Sequence, residues 1–138
     1  MTALAGREAS FLAFDFGTRR VGVASGNTVL GHGRPLKTLA ETGDARFAAI
    51  ARLVAEWQPD ALVVGVPFHP DGAAHDNTLR ARRFARQLHG RLRLPVHEVD
   101  ERYTTTEALA AGAADADAAA AALILDQYLR TLADDAAA

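Results

Sequence analysis

The sequence predicts an α/β fold in which a mixed five-stranded sheet carries helices on both faces. Three short apolar runs open the chain, an entirely apolar run lies in its middle, and helical periodicity alternates with strand-like runs afterwards. The predicted order is β-β-β-α-β-α-β-α-α, which is typical of three antiparallel strands joined to alternating helices and strands. The 138 residues fit one domain. We expect residues 1–9 and 133–138 to be flexible.

The first two strands are predicted to form a hairpin. SFLAFDF (Ser10–Phe16) and VGVAS (Val21–Ser25) are apolar runs separated by GTRR. A third strand is predicted around Val29–Leu36. The fourth, Ala61–Val66, has no polar residue, as is typical of a strand buried on both faces. Pro95–Asp100 is predicted as the fifth strand.

Helical periodicity begins after the third strand. Phe47, Ile50, Val54 and Trp57 recur at the spacing of one helix face, and Pro59 and Asp60 end that helix. Further helices are predicted over Asn77–Gly90, Thr104–Ala111 and Asp115–Leu132.

The composition excludes several classes of protein. There is no cysteine, which excludes a disulfide framework and a thiolate metal site. No apolar run approaches the length of about 20 residues that spans a bilayer, and the first residues lack the apolar core of a signal peptide. We therefore expect a soluble, cytoplasmic protein with no membrane partner.

Carboxylates stand at the ends of two predicted strands. Asp15 comes near the end of the first, and Asp100 and Glu101 come at the end of the fifth, where open α/β sheets place their ligand sites. Each also has an ordinary explanation. Asp15 could begin a turn, and the second group could be a charged strand end, with Arg102 pairing with an acid. Position alone leaves both interpretations open.

Asp117 is the third candidate acid. It lies one helical turn before a stripe formed by Ala121, Leu125 and Tyr128, which predicts that it faces the sheet. In the first turn of a helix its charge is also favoured by the helix dipole. The structural alternative is that Asp115 or Asp117 caps the helix.

Three converging acids need a cation. Two like charges about 4 Å apart cost about 4 kcal/mol at an effective dielectric near 20. A hard divalent ion with oxygen ligands offsets this repulsion, so Mg²⁺ is expected, with Mn²⁺ as an alternative. The sequence has no HxH or HExxH pair, which disfavours zinc. His69 and His75 are interpreted as loop residues.

A run of arginines marks the second predicted helix. Six arginines without an intervening acid lie between residues 80 and 93: Arg80, Arg82, Arg83, Arg86, Arg91 and Arg93. They form either a solvated helix face or a surface that follows phosphates. The net charge of −2 means that the chain as a whole is not basic.

Five segments together resemble one protein family. They are DFGTRRVGVA from Asp15, GVPFHPDG from Gly65, RARRFARQLHGR from Arg80, VDERYTT from Val99 and DAAAAALILDQYL from Asp117. In this order they resemble the YqgF/RuvX family of RNase H-like proteins, described as pre-16S rRNA nucleases and as Holliday junction resolvases. The resemblance covers roughly Phe11 to Leu132.

The resemblance implies an RNase H-like fold and a set of site residues. Asp15, Glu101 and Asp117 correspond to the catalytic and metal-binding acids, and Asp100 is an alternative or additional ligand. Nucleic-acid contacts are expected from Arg19, Arg20, Arg80, Arg83, Arg86 and Arg102. Two departures stand out: His69 replaces the usual Asn, and the segment before Asp117 lacks a basic residue.

The leading functional hypothesis is a Mg²⁺-dependent endonuclease that matures the 16S rRNA precursor. The alternatives are a DNA junction resolvase that uses the same acids and a non-catalytic RNA-binding assembly factor. DFGT also resembles the phosphate loop of sugar-kinase and actin-like proteins, but those folds need a far longer chain. The partner is therefore nucleic acid, with precursor rRNA favoured and a DNA junction as the alternative. The protein is expected to be a monomer or a homodimer.

Overall fold

The computed structural model describes residues 8–101 and 115–137. Its strands are β1 (Ser10–Phe16), β2 (Val21–Asn27), β3 (Gly33–Leu39), β4 (Ala61–Val66) and β5 (Val96–Asp100). Its helices are α1 (Gly43–Trp57), α2 (Asp76–Leu92) and α3 (Ala116–Ala137). The strands form one sheet in the order β3-β2-β1-β4-β5, which confirms the predicted α/β architecture. The predicted helix over Thr104–Ala111 lies outside the described residues.

The sheet is mixed, and its two halves run as predicted. β1 pairs antiparallel with β2, which pairs antiparallel with β3, so the predicted hairpin is confirmed. On the other side β1 pairs parallel with β4, and β4 pairs parallel with β5. The carboxyl ends of β1, β4 and β5 therefore meet at one edge of the sheet, where Asp15 and Glu101 are found.

Helices cover both faces of the sheet. On β1, Leu12 and Phe14 pack into a core with α1 and α2, whereas Phe11 and Ala13 pack into a second core with α3. Side chains alternate between the two faces of a strand. Asp15 therefore lies on the same face as Ala13, beneath α3.

The third strand is three to four residues later than predicted. Val29 and Leu30 lie in the turn after β2 and are 69% and 54% exposed. Asn27 stabilises this turn, because its Oδ1 accepts a hydrogen bond from the Leu30 N–H at 2.8 Å. The apolar character of Val29 and Leu30 suggested a strand, and the hydrogen bonding of an asparagine overrode it.

Two further boundaries differ from the sequence prediction. Trp57 ends α1 with 45% of its surface exposed, although its spacing placed it on the buried face. α3 continues to Ala137, beyond the predicted end at Leu132, because the alanines there favour helix. None of the described helices is both long enough and apolar enough to span a membrane.

Candidate active site

Asp15 and Glu101 form a hydrogen-bonded carboxyl pair at the carboxyl edge of the sheet. Burial raises the pKa of Asp15, the hydrogen bond from Glu101 lowers it, and the charge of Asp117 raises it. Burial, followed by the Asp15 carboxylate, raises the pKa of Glu101 to about 8. Glu101 therefore holds a proton near neutral pH and donates it to Asp15.

Gly65 makes room for this pair. It lies on β4, between β1 and β5, and its Cα has Val99 as its partner. A Cβ built on Gly65 would lie 2.5 Å from the Glu101 Oε1 and 2.4 Å from the Ile124 Cδ1. A side chain at this position would push Glu101 away from Asp15.

The start of α3 brings Asp117 to the same end of the sheet. Asp115 caps the helix, because its Oδ1 accepts a hydrogen bond from the Ala118 N–H at 3.4 Å. Beneath the start of α3, a Cβ on Gly22 would lie 1.8 Å from the Asp117 carbonyl oxygen. Gly22 is also the Cα partner of Asp15. The main chain of Asp117 therefore packs against Gly22, which is the strand partner of Asp15.

The Asp117 carboxylate is engaged by an arginine. Its Oδ2 lies 3.0 Å from the Arg20 Nε, and the two side chains are 34% and 67% exposed. The Asp117 carboxylate thus lies at the rim of the site, close enough for its charge to raise the pKa of Asp15. Within residues 8–101 and 115–137, no group of three or more His, Cys, Asp or Glu side chains is arranged to hold a metal ion.

Asp100 stands apart from the pair. Val96 packs on the side of α1 and α2, and Val99 packs on the side of α3. Strand alternation therefore directs Asp100 to the face of α1 and α2. Its charge still contributes to the raised pKa of Glu101. Its role as an additional ligand stays a prediction, and Arg102 lies outside the described residues.

The arginines of α2 divide into two groups. Arg82 binds Glu98 at 3.3 Å and lies over the Phe68 ring, and Arg91 binds Asp44 at 3.3 Å and lies over the Phe47 ring. Both arginines are therefore engaged in contacts within the chain. Arg80, Arg83 and Arg86, together with Arg93 just after the helix, are exposed as Arg91 is, and Arg80 also donates to the Asn77 Oδ1 at 3.2 Å.

The sequence did not single out Arg46, which is only 6% exposed. It lies on α1 and donates to the Glu41 carbonyl at 3.0 Å and to the Thr18 carbonyl at 3.2 Å. Its guanidinium also lies 5.6 Å from the centre of the Phe16 ring. Arg46 thereby anchors the turn between β1 and β2, which carries Arg19 and Arg20. No pattern in the sequence distinguishes it from a surface arginine of a helix.

The two loop histidines shape the start of α2. The His75 Nδ1 accepts a hydrogen bond from the Asn77 N–H, and the Thr78 Oγ1 accepts one from the His75 N–H. The His69 ring contacts the His75 ring edge to face at 4.7 Å. These contacts give both histidines a structural role, as expected of loop residues.

Comparisons with known proteins identify the family. The family described as "RuvX: Holliday junction resolvase" matches residues 9–131. A protein of Albidiferax ferrireducens named "Putative pre-16S rRNA nuclease" is 68% identical over 89% of this chain and 79% of its own length. One of the same name from Paraburkholderia phytofirmans is 54% identical over 98% of this chain and 97% of its own.

Among solved structures, the fold is similar to that of RuvC from T. thermophilus in complex with a Holliday junction substrate. The TM-score is 0.56 at 17% identity, over 89% of this chain and 96% of RuvC. This likeness concerns the fold, which is RNase H-like, as the resemblance implied. With the family match over most of its length, the chain belongs to the RuvX family of nucleases.

Proposed function

We propose that this chain is a divalent-metal-dependent endonuclease that hydrolyses phosphodiester bonds in precursor 16S rRNA. The observation that carries the proposal is the half-buried Asp15–Glu101 pair, with Asp117 beside it. Two carboxyl groups in contact need either a proton or a cation between them. Oxygen ligands without a thiolate suit Mg²⁺, with Mn²⁺ as an alternative. Asp15, Glu101 and Asp117 would hold the ion, with Asp100 as an alternative or additional ligand.

Mg²⁺, when bound, supplies activation of water and stabilises the charge on the leaving oxygen. The chain contributes the position and the protonation state of the carboxyl groups. Glu101 must first release to solvent the proton that it donates to Asp15, because a protonated carboxyl group is a poor ligand. The exposed arginines, Arg19, Arg80, Arg83 and Arg86, would hold the phosphate backbone without specifying a base.

RNA is the favoured substrate because relatives up to 68% identical bear the name of pre-16S rRNA nucleases. Such a substrate would place the reaction in the cytoplasm. The second candidate is a four-way DNA junction, which the description of the matching family favours. A junction resolvase cuts two strands symmetrically, so that function requires a dimer in solution.

The test uses Asp15→Asn and a matched control, Asp44→Asn. Asp44 has a side chain that is 95% exposed, so its substitution makes the same charge change outside the site. Wild type and both variants are incubated with labelled precursor 16S rRNA and with a four-way DNA junction, in Mg²⁺ or in EDTA. We expect cleavage of the RNA alone, lost in EDTA and in Asp15→Asn and retained in Asp44→Asn.

Other outcomes of this assay separate the alternatives. Symmetric cutting of the junction alone would establish the resolvase function. Binding of RNA without cleavage by the wild type would indicate an assembly factor. Full activity of Asp15→Asn would remove Asp15 from the site.

A further inference from the structure

The carboxyl groups of the site have partners within the chain. The Arg20 Nε lies 3.0 Å from the Asp117 Oδ2, and Asp15 and Glu101 hydrogen-bond to each other. Asp117 is therefore held by an arginine while its charge still acts on Asp15.

We propose that Arg20 is a built-in counter-cation of Asp117 that a divalent ion must displace, and that displacement frees Arg20 for a substrate phosphate. Arg20 is then a positioning residue that pairs first with Asp117 and afterwards with a substrate phosphate. The inference rests on the proposed metal-dependent function and deepens it. It predicts that Arg20 weakens metal binding in the absence of substrate.

The surroundings allow Arg20 to move while Asp117 stays in place. The Asp117 main chain is fixed against Gly22, whereas the Arg20 side chain is 67% exposed. The main chain of the turn before Arg20 is held by the hydrogen bond from Arg46 to the Thr18 carbonyl. The exchange therefore needs only a rotation of the long Arg20 side chain about its own bonds.

The chemistry of a guanidinium suits this role. It keeps its charge at every working pH, so Asp117 cannot be freed by deprotonation of its partner. It is also matched to phosphate, because its N–H donors can bind two oxygens at once. A divalent ion that takes Asp117 would leave the exposed Arg20 side chain available to a phosphate at the rim of the site.

The matched pair for a test is Arg20→Gln and Arg19→Gln. Both variants lose one positive charge from the same exposed turn, but the 3.0 Å ion pair with Asp117 belongs to Arg20. The metal-free full-length proteins are titrated with Mn²⁺, and the free ion is followed by electron paramagnetic resonance. An exposed ion pair contributes about 0.2–1 kcal/mol, so we expect Arg20→Gln to bind Mn²⁺ about 1.4- to fivefold more tightly than Arg19→Gln.

Equal affinities of the two variants would overturn the inference and leave the proposed function standing. A wild type that binds no Mn²⁺ would overturn the proposed metal dependence as well. These failures are therefore distinguishable without any measurement of cleavage. Circular dichroism of both variants confirms that each is folded before titration.

A second measurement reports on Arg20 itself. The Nε–H resonance of Arg20 is identified in ¹⁵N spectra by its loss in Arg20→Gln. We expect saturating Mg²⁺ to shift this resonance and to accelerate its exchange with water, because the Asp117 acceptor is withdrawn. The buried Arg46 resonance serves as the internal control and should stay unchanged. An Arg20 resonance unaffected by bound Mg²⁺ would overturn the inference.

Discussion

The two faces of the sheet are packed by different means. On the side of α1 and α2, large side chains fill the space: the Phe84 ring contacts those of Phe14, Phe16 and Phe47 at centroid distances of 4.9–6.1 Å. On the side of α3, glycines and alanines let the helix main chain approach the strands. Both faces supply buried apolar area, and the glycines of the second face also set the position of an acid.

The comparison implies that even one methyl group between the sheet and α3 disturbs the position of the acid. Gly22→Ala places a Cβ 1.8 Å from the Asp117 carbonyl oxygen, so α3 must move away from Asp15. We expect cleavage of precursor rRNA to fall by about 100-fold or more, since displacements near 1 Å have that effect. The measurement is kcat at a temperature where the variant is folded.

Gly90→Ala is the control for this substitution. Gly90 lies within α2, and a Cβ there meets no atom within 4 Å. Alanine is favoured over glycine inside a helix by about 0.8–1 kcal/mol, so this variant should be slightly more stable and fully active. Normal activity of Gly22→Ala would show that the contact with Asp117 does not position the site.

The second prediction concerns the carboxyl pair beneath α3. The folded-state pKa of Glu101 is about 8, above its ordinary value of 4.5. Folded protein therefore holds a proton that unfolded protein has released, and the free energy of unfolding decreases as pH rises from about 4.5 to 8. Glu101→Gln resembles the protonated form and should lose this dependence.

Urea unfolding in EDTA at pH 5 and pH 8 measures the difference. We expect Glu101→Gln to match the wild type at pH 5 and to be roughly 1–3 kcal/mol more stable at pH 8, while losing cleavage activity. The same dependence on pH in both proteins would mean that Glu101 is not the protonated member of the pair.

The smallest expected effect concerns the outer surface of α2. Arg83→Gln/Arg86→Gln removes two exposed cations from this helix. RNA binding should weaken about equally for all sequences, and the slope of log K against log salt should decrease by about one to two. Filter binding at several salt concentrations measures both quantities.

Arg82→Gln/Arg91→Gln is the matched control, because these arginines are held by Glu98 and Asp44. It makes the same charge change on the same helix and should leave the salt slope closer to that of the wild type. Equal slopes for the two double variants would show that overall charge decides binding, and not whether particular arginines are held in ion pairs.

The sequence was sufficient to predict most of the fold and the meeting of two strand-end carboxyl groups. The strand-end carboxylates Asp15 and Glu101 do come together, because carboxyl ends of neighbouring strands share an edge. The third strand was misplaced, since local apolar character cannot reveal the hydrogen bond that turns the chain at Asn27.

Other features depended on tertiary contacts. The ion pair of Arg20 with Asp117 joins residues 97 positions apart (117 − 20), and neither residue alone indicates it. Gly22 and Gly65 did carry a local signal, because an isolated glycine within a strand often marks a close approach. Such a glycine indicates that another group lies close to the strand, but it does not identify that group.

The contact between Gly22 and the carbonyl oxygen of Asp117 involves main-chain atoms alone. The place where α3 begins is therefore independent of the side chain that residue 117 carries. Asparagine or glutamate at this position would be presented from the same point in space. The fold thus fixes the point from which the side chain of residue 117 begins, and the chemistry of that side chain can change by substitution without rebuilding the scaffold.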